Sequence, residues 1–138
     1  MDKRQISLKE AQEILPIVKK NVIKLMRINK ALSLLKSVEI QYDDDYLTLM
    51  HNLRFNKKHH KLSYDFFSLL ENLHTLGCRV KDLESGIVDF YSTFEGREIF
   101  LCWNIMDTHI RFWHEASTGS EAKKPVSMIR ETLEINKR

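Results

Sequence analysis

Glycine and proline are scarce in this chain, four and two among 138 residues. That scarcity argues against a loop-rich fold or a long disordered linker. Cysteine is limited to Cys78 and Cys102. Two cysteines in a chain of this size make no disulfide scaffold, so reduced thiols in a cytoplasm are expected. The opening Met1-Asp2-Lys3-Arg4-Gln5-Ile6-Ser7 has no apolar stretch of signal-peptide length. No run anywhere approaches the ~20 residues of a membrane span, so no membrane association and a cytoplasmic location are expected. Strong charge is missing too: 22 Lys+Arg against 19 Asp+Glu give +3. That balance points to no polyanionic partner. Paired-Cys and His-Glu-x-x-His spacings, internal repeats and low-complexity tracts are all absent. No metal and no cofactor are expected.

What is present suits a packed α+β domain. Hydrophobic residues make up 43% and charged residues 30%, enough for a core and for a polar exterior. A chain of this length buries about two thirds of its unfolded surface. The expected architecture is one domain: a long antiparallel helical hairpin over about 7–77, a three-stranded antiparallel β-meander over about 86–115, and a C-terminal segment over 116–138 holding a short helix.

Ser7-Leu8-Lys9-Glu10 reads as a capping box that starts the first helix. Ala11, Leu15, Val18, Val22, Leu25 and Leu32 then recur in steps of three and four, widened by Ile14, Ile28 and Leu35. Pro16 lacks an N–H and should kink this helix or split off a segment near Leu15. The helix is expected to fade near Ser37–Val38. Asp43-Asp44-Asp45 offers N-caps for a second helix, and Gly77 a stop for it. With no Gly or Pro between Asp43 and Leu76, one continuous helix is expected, with a bend or change of partner open around Arg54–Lys58.

Beyond Cys78 the period changes to two. Strands are expected at Ile87–Phe94, Arg97–Trp103 and His109–Glu115, with Glu95-Gly96 as a two-residue hairpin turn. Gly119–Pro125 reads as loop and Val126–Ile135 as a terminal helix. The turn pairs Phe94 with Arg97, Ser92 with Ile99, Phe90 with Leu101 and Val88 with Trp103 on a helix-facing side. If the next turn pairs Trp103 with Ile110, Phe112 and His114 join that buried side. The outer face then holds an aromatic row, Tyr91–Phe100–Trp113, and a polar row, Asp89–Cys102–Arg111. A one-residue slip of the third strand would invert its half of this pattern.

Gly86-Ile-Val-Asp89-Phe90, Gly96-Arg97, Leu101-Cys102-Trp103, Phe112-Trp113-His114-Glu115 and the loop Gly119…Lys123-Lys124-Pro125 together resemble the bacterial domain-of-unknown-function family 2203. The opening Ile6-Ser7-Leu8-Lys9-Glu10-Ala11 through Leu15-Pro16 resembles that family's start. The likeness covers the first ~15 residues and about Gly77–Val126 and departs from it at two loops. Gly119-Ser-Glu-Ala-Lys-Lys-Pro125 stands for the family's Gly-Phe-x-Gly-Arg-Arg-Pro, and Met106-Asp107 for its Gly-Glu turn. The resemblance implies a protein class and no activity.

The candidate ligand-binding residues are Asp89, Cys102, Arg111, Trp113, His114 and Glu115; no catalytic residue is assigned. Consecutive strand residues such as His114 and Glu115 point to opposite faces and do not readily share an ion. In the expected register Cys102 also lies on the opposite face of the sheet from His114, and His114 reads as a hydrogen-bonded structural residue. Asp89, Cys102 and Arg111 suit either a small polar ligand or an Asp–Arg ion pair beneath the terminal helix, and the ion pair is preferred. His51–Lys61 contains no acid and reads as a solvated basic helix face, with no nucleic-acid partner expected. Helices of about thirty residues span on the order of 45 Å, more than three short strands cover. The expected function is therefore a non-catalytic binding or interaction module that forms a homodimer through its helices. The alternatives are a small enzyme or ligand sensor with its site on or beside the meander, for which a small-molecule ligand stays open, and a nucleic-acid accessory protein.

Overall fold

The chain folds as a helical hairpin joined to an antiparallel sheet, in a computed structural model that describes residues 4–36 and 43–129. Helix α1 runs Leu8–Lys36 and α2 runs Asp45–Thr75. The Ser7 hydroxyl accepts the Glu10 amide at 3.1 Å, and Glu10 reaches back to Ser7, closing the capping box. Pro16 sits inside α1 without splitting it. Ala11, Leu15, Val18 and Val22 are buried on either side of it, so packing bridges the missing backbone bond. The expected fading of this helix at Ser37–Val38 lies outside the described residues.

Asp44 caps α2 by accepting the Tyr46 and Leu47 amides at 2.7 and 3.3 Å. The helix is continuous to its C-cap Leu76, and Gly77 follows at φ 94°, the left-handed stop that glycine takes without a Cβ clash. No helix among the described residues is long and apolar enough to cross a membrane.

The sheet has five strands, not three, in the order β1 Cys78–Asp82, β2 Ile87–Phe94, β3 Arg97–Asn104, β4 Phe112–Glu115 and β5 Lys124–Pro125. β1 escaped the sequence reading because only five residues alternate before its turn. β5 escaped because two residues carry no periodicity. The stretch expected as loop holds a 3-10 turn, Ser120–Ala122, together with β5. Of the expected terminal helix, a first turn at 127–129 is described and the rest lies outside the described residues.

β2 and β3 pair as their hairpin turn requires. Glu95 and Gly96 both hold positive φ, 52° and 76°, the two-residue turn whose twist matches the strands. Phe94 pairs with Arg97, Phe90 with Leu101, and Val88 with Trp103. β4 departs by one residue from the expected register. Leu101 faces Trp113 rather than Phe112, and Phe100 faces His114. Trp113 is therefore fully buried toward α1, and Phe112 is 43% exposed.

The slip has a physical cause. β3 continues to Asn104, whose side-chain oxygen takes the Met106 amide at 2.9 Å. Ile110, buried outside any strand, donates its amide to Gln12 Oε1 at 3.3 Å. The chain thus re-enters the sheet only at Phe112. The slip buries the larger aromatic, whose indole N–H still finds the Pro125 carbonyl at 3.1 Å.

Candidate functional site

Alternation along β1–β4 gives the sheet two unlike faces. The inner face presents Cys78, Val88, Phe90, Ile99, Leu101 and Trp113 to α1 and the end of α2. The outer face carries a polar row, Arg79–Asp89–Cys102–Phe112, beside an aromatic row, Tyr91–Phe100–His114. The one-residue slip of β4 moves His114 into the neighbourhood of Cys102 and takes Arg111 and Trp113 out of it. The expected Tyr91–Phe100–Trp113 and Asp89–Cys102–Arg111 rows are thereby corrected in their last members.

Asp89, Cys102 and His114 form a buried cluster. One ligand atom from each lies within 4.8 Å of the other two, and it is the one such group among the described residues. Asp89 has no solvent exposure, His114 has 2% and Cys102 has 6%. The Cys102 thiol donates to Asp89 Oδ1 at 3.1 Å. The other carboxylate oxygen, Oδ2, accepts from Arg79 Nε and Nη2 at 3.3 and 3.1 Å. The buried carboxylate thus has the charged, hydrogen-bonded partner that burial demands. The Arg79 guanidinium also lies over the Phe100 ring, 4.0 Å from its centroid, and Phe100 packs against His114 at 5.4 Å.

His114 Nδ1 lies 2.9 Å from the Glu115 carbonyl oxygen. A carbonyl only accepts, so Nδ1 carries the proton and Nε2 carries a lone pair. That Nε2 is buried and has no hydrogen-bond partner.

This arrangement is not that of a nucleophilic triad. There a histidine takes the nucleophile's proton and a carboxylate orients the histidine. Here the carboxylate accepts from the thiol, and a backbone carbonyl orients the histidine. Burial first, and the charge of Asp89 second, push the Cys102 thiol up to about 12, so it stays protonated and unreactive at neutral pH. The donor set S, N and O remains capable of holding a cation.

The other candidates stand elsewhere. Arg111 is exposed, ahead of β4. Trp113 belongs to the core. The Glu115 side chain, on the other face of β4 from His114, pairs with Arg97, and Arg97 also reaches Glu95 at 3.6 Å. Arg79 was missed by the sequence reading, which gave Asp89 to Arg111. The alternation of Cys78-Arg79-Val80 just before a turn signal, Ser85-Gly86, was the clue that could have found it. An apolar groove lined by Met26, Leu83, Ile105 and Met106 opens between α1 and the sheet turns. A second groove runs along α2 past Phe67 and His74. Neither is lined by Asp89, Cys102 or His114, although the second borders Arg79.

The family model of DUF2203, an uncharacterized conserved protein, matches residues 4–126. The chain belongs to that family. Each member of the cluster comes from a different one of the strand segments that carry the resemblance. Comparison with curated proteins and with solved structures gives no match.

Proposed function

We propose that this protein is a non-catalytic interaction module that self-associates through the first half of α2. The observation that carries this reading is the lopsided burial of that helix. Leu73 is its only buried residue among 31. Tyr46, Leu49 and Leu53, spaced i, i+3, i+7, are 66%, 55% and 53% exposed, and Leu47 beside them is 50% exposed. A contiguous apolar stripe of this kind marks an interaction site.

A second copy of the same chain is the occupant that fits it. Two α2 helices placed antiparallel about a twofold axis near His51 set Leu49 against the partner's Leu53 at both ends of the contact. The same axis brings the exposed Asp45 opposite the partner's exposed Lys57, both flanking the stripe. Apolar and charged positions are thus self-complementary, as a twofold interface requires.

Light scattering at micromolar concentration is expected to give about twice the single-chain mass of 16.4 kDa. Replacing Leu49 and Leu53 by Glu returns the mass of one chain with unchanged circular dichroism. Lys57→Glu weakens the dimer, and adding Asp45→Lys restores it. A monodisperse monomer from the unaltered chain sinks this reading.

A further inference from the structure

We propose that Asp89, Cys102 and His114 bind a divalent transition ion of the Zn2+ class on the outer face of the sheet, leaving one coordination position open. This goes beyond the helical interface and does not depend on it. Two observations carry it independently: the convergence of three donor atoms within 4.8 Å, and the buried, unpartnered Nε2 of His114.

The histidine is set as a metal ligand needs to be. Its Nδ1–H is spent on the Glu115 carbonyl at 2.9 Å, which fixes the ring and leaves the buried Nε2 without a hydrogen-bond partner. Metal-bound histidines are held by the same kind of outer contact. An unpartnered nitrogen at 2% exposure is otherwise a cost without return.

Asp89 is divided in the same way. Arg79 occupies Oδ2, and Oδ1 meets only the Cys102 thiol at 3.1 Å. Around a tetrahedral zinc ion, sulfur, nitrogen and oxygen ligands stand roughly 3.3–3.6 Å apart, from bond lengths near 2.0–2.3 Å. The observed separations, 3.1 Å between Cys102 Sγ and Asp89 Oδ1 and no more than 4.8 Å for any pair, bracket that spacing. When the S–metal bond forms, the thiol proton leaves to solvent.

The donor set selects the ion. One thiolate, one imidazole and one carboxylate suit zinc or cobalt, whereas magnesium and calcium require oxygen ligands throughout. Charge permits it as well. Arg79 is bonded to the cluster, and Lys81 and Lys123 act on Cys102 through space. Carboxylate and thiolate together neutralise a dication, so the filled site carries no net charge of its own, one unit more positive than the metal-free site with its protonated thiol. Three protein ligands leave the fourth position for water or a Lewis-basic ligand.

The test is a titration of chelator-treated, reduced full-length protein with Co2+, followed by displacement with Zn2+. The expected result is a thiolate-to-cobalt charge-transfer band with tetrahedral d–d absorption, saturating at one ion per chain and erased by Zn2+. Zn2+ is also expected to protect Cys102 from alkylation under conditions where Mg2+ does not. Cys102→Ser and His114→Gln should each weaken binding at least ~100-fold, beyond the 10–100-fold typical of outer contacts. Cys78→Ser should retain the full signal. Circular dichroism separates loss of ligand from loss of fold, and the protection assay on the unaltered chain needs no variant. Absence of the charge-transfer band in the folded protein overturns the proposal. So does a band that survives Cys102→Ser, or protection by Mg2+ equal to that by Zn2+.

Discussion

The two helices are nearly equal in length, 29 and 31 residues, yet α1 buries six residues and α2 buries one. Composition does not separate them: both carry apolar residues at helical spacing. Position does. α1 lies across the inner face of the sheet, where Ala11, Val18, Val22 and Leu25 meet Val88, Phe90, Leu101 and Trp113. α2 touches that core through its second half, at Phe66, Leu69, Leu70 and Leu73. Its first half runs on past the sheet with α1 as its neighbour. An amphipathic stripe therefore states that a helix face wants covering, and topology decides what covers it.

The largest expected effect tests the covered side. Trp113→Ala removes a fully buried indole and should cost roughly 3–5 kcal/mol in denaturant unfolding. Phe112→Ala, one residue away on the outer face, should cost no more than about 1 kcal/mol. Similar costs for the two would break the register on which the cluster depends.

Next comes the contrast between the helices themselves. Leu25→Ala, at no exposure, is expected to lose about 2–5 kcal/mol. Leu49→Ala, read at dilutions where the chain is monomeric, should stay within about 0.5 kcal/mol. A large Leu49 effect in the monomer would mean that the first half of α2 is already covered within one chain.

A smaller effect concerns the polar row. Arg79→Ala leaves the carboxylate of Asp89 buried without its cation. Because Arg79 is itself 44% exposed, solvent screening tempers the loss to roughly 1–3 kcal/mol. Arg111→Ala, exposed and outside the row, should change stability little. The reverse ranking would return Asp89 to the partner first expected for it.

A last effect is a pH slope on the core side. Cys78 is buried, its thiol donates to the Leu73 carbonyl at 3.1 Å, and burial pushes it up to about 12. Above pH ~9 the unfolded chain releases this proton while the folded chain retains it. Stability therefore falls as pH rises from about 9 toward 12, by at most ~1.4 kcal/mol per pH unit. Below that window the contribution is complete. Cys78→Ala should reduce the slope by that amount, read from denaturant midpoints between pH 8 and 11. An unchanged slope would place the thiol in contact with solvent.

Much of the scaffold was legible in the chain. The capping box at Ser7–Glu10, the Asp44 cap, the Gly77 stop and the Glu95-Gly96 turn are local chemistry, carried by residues at most three positions apart. The β2–β3 register followed directly, because a two-residue turn leaves no freedom in pairing. The cluster was legible only in part. Asp89 opposite Cys102 came from that turn. His114 was placed on the wrong face because the connection from Asn104 to Arg111 is long enough to admit either register.

Local signals of the sequence thus determined where helices begin and end, which hairpin turn forms, and which apolar stripe seeks a partner. Tertiary structure alone decided that Trp113 turns inward and His114 outward. Burying the indole against α1, with its N–H on Pro125, gains more apolar contact than burying Phe112. A strand has a side-chain period of two, so that single choice carried every β4 residue to the opposite face. The same step that completed the core brought a histidine beside a buried thiol and carboxylate.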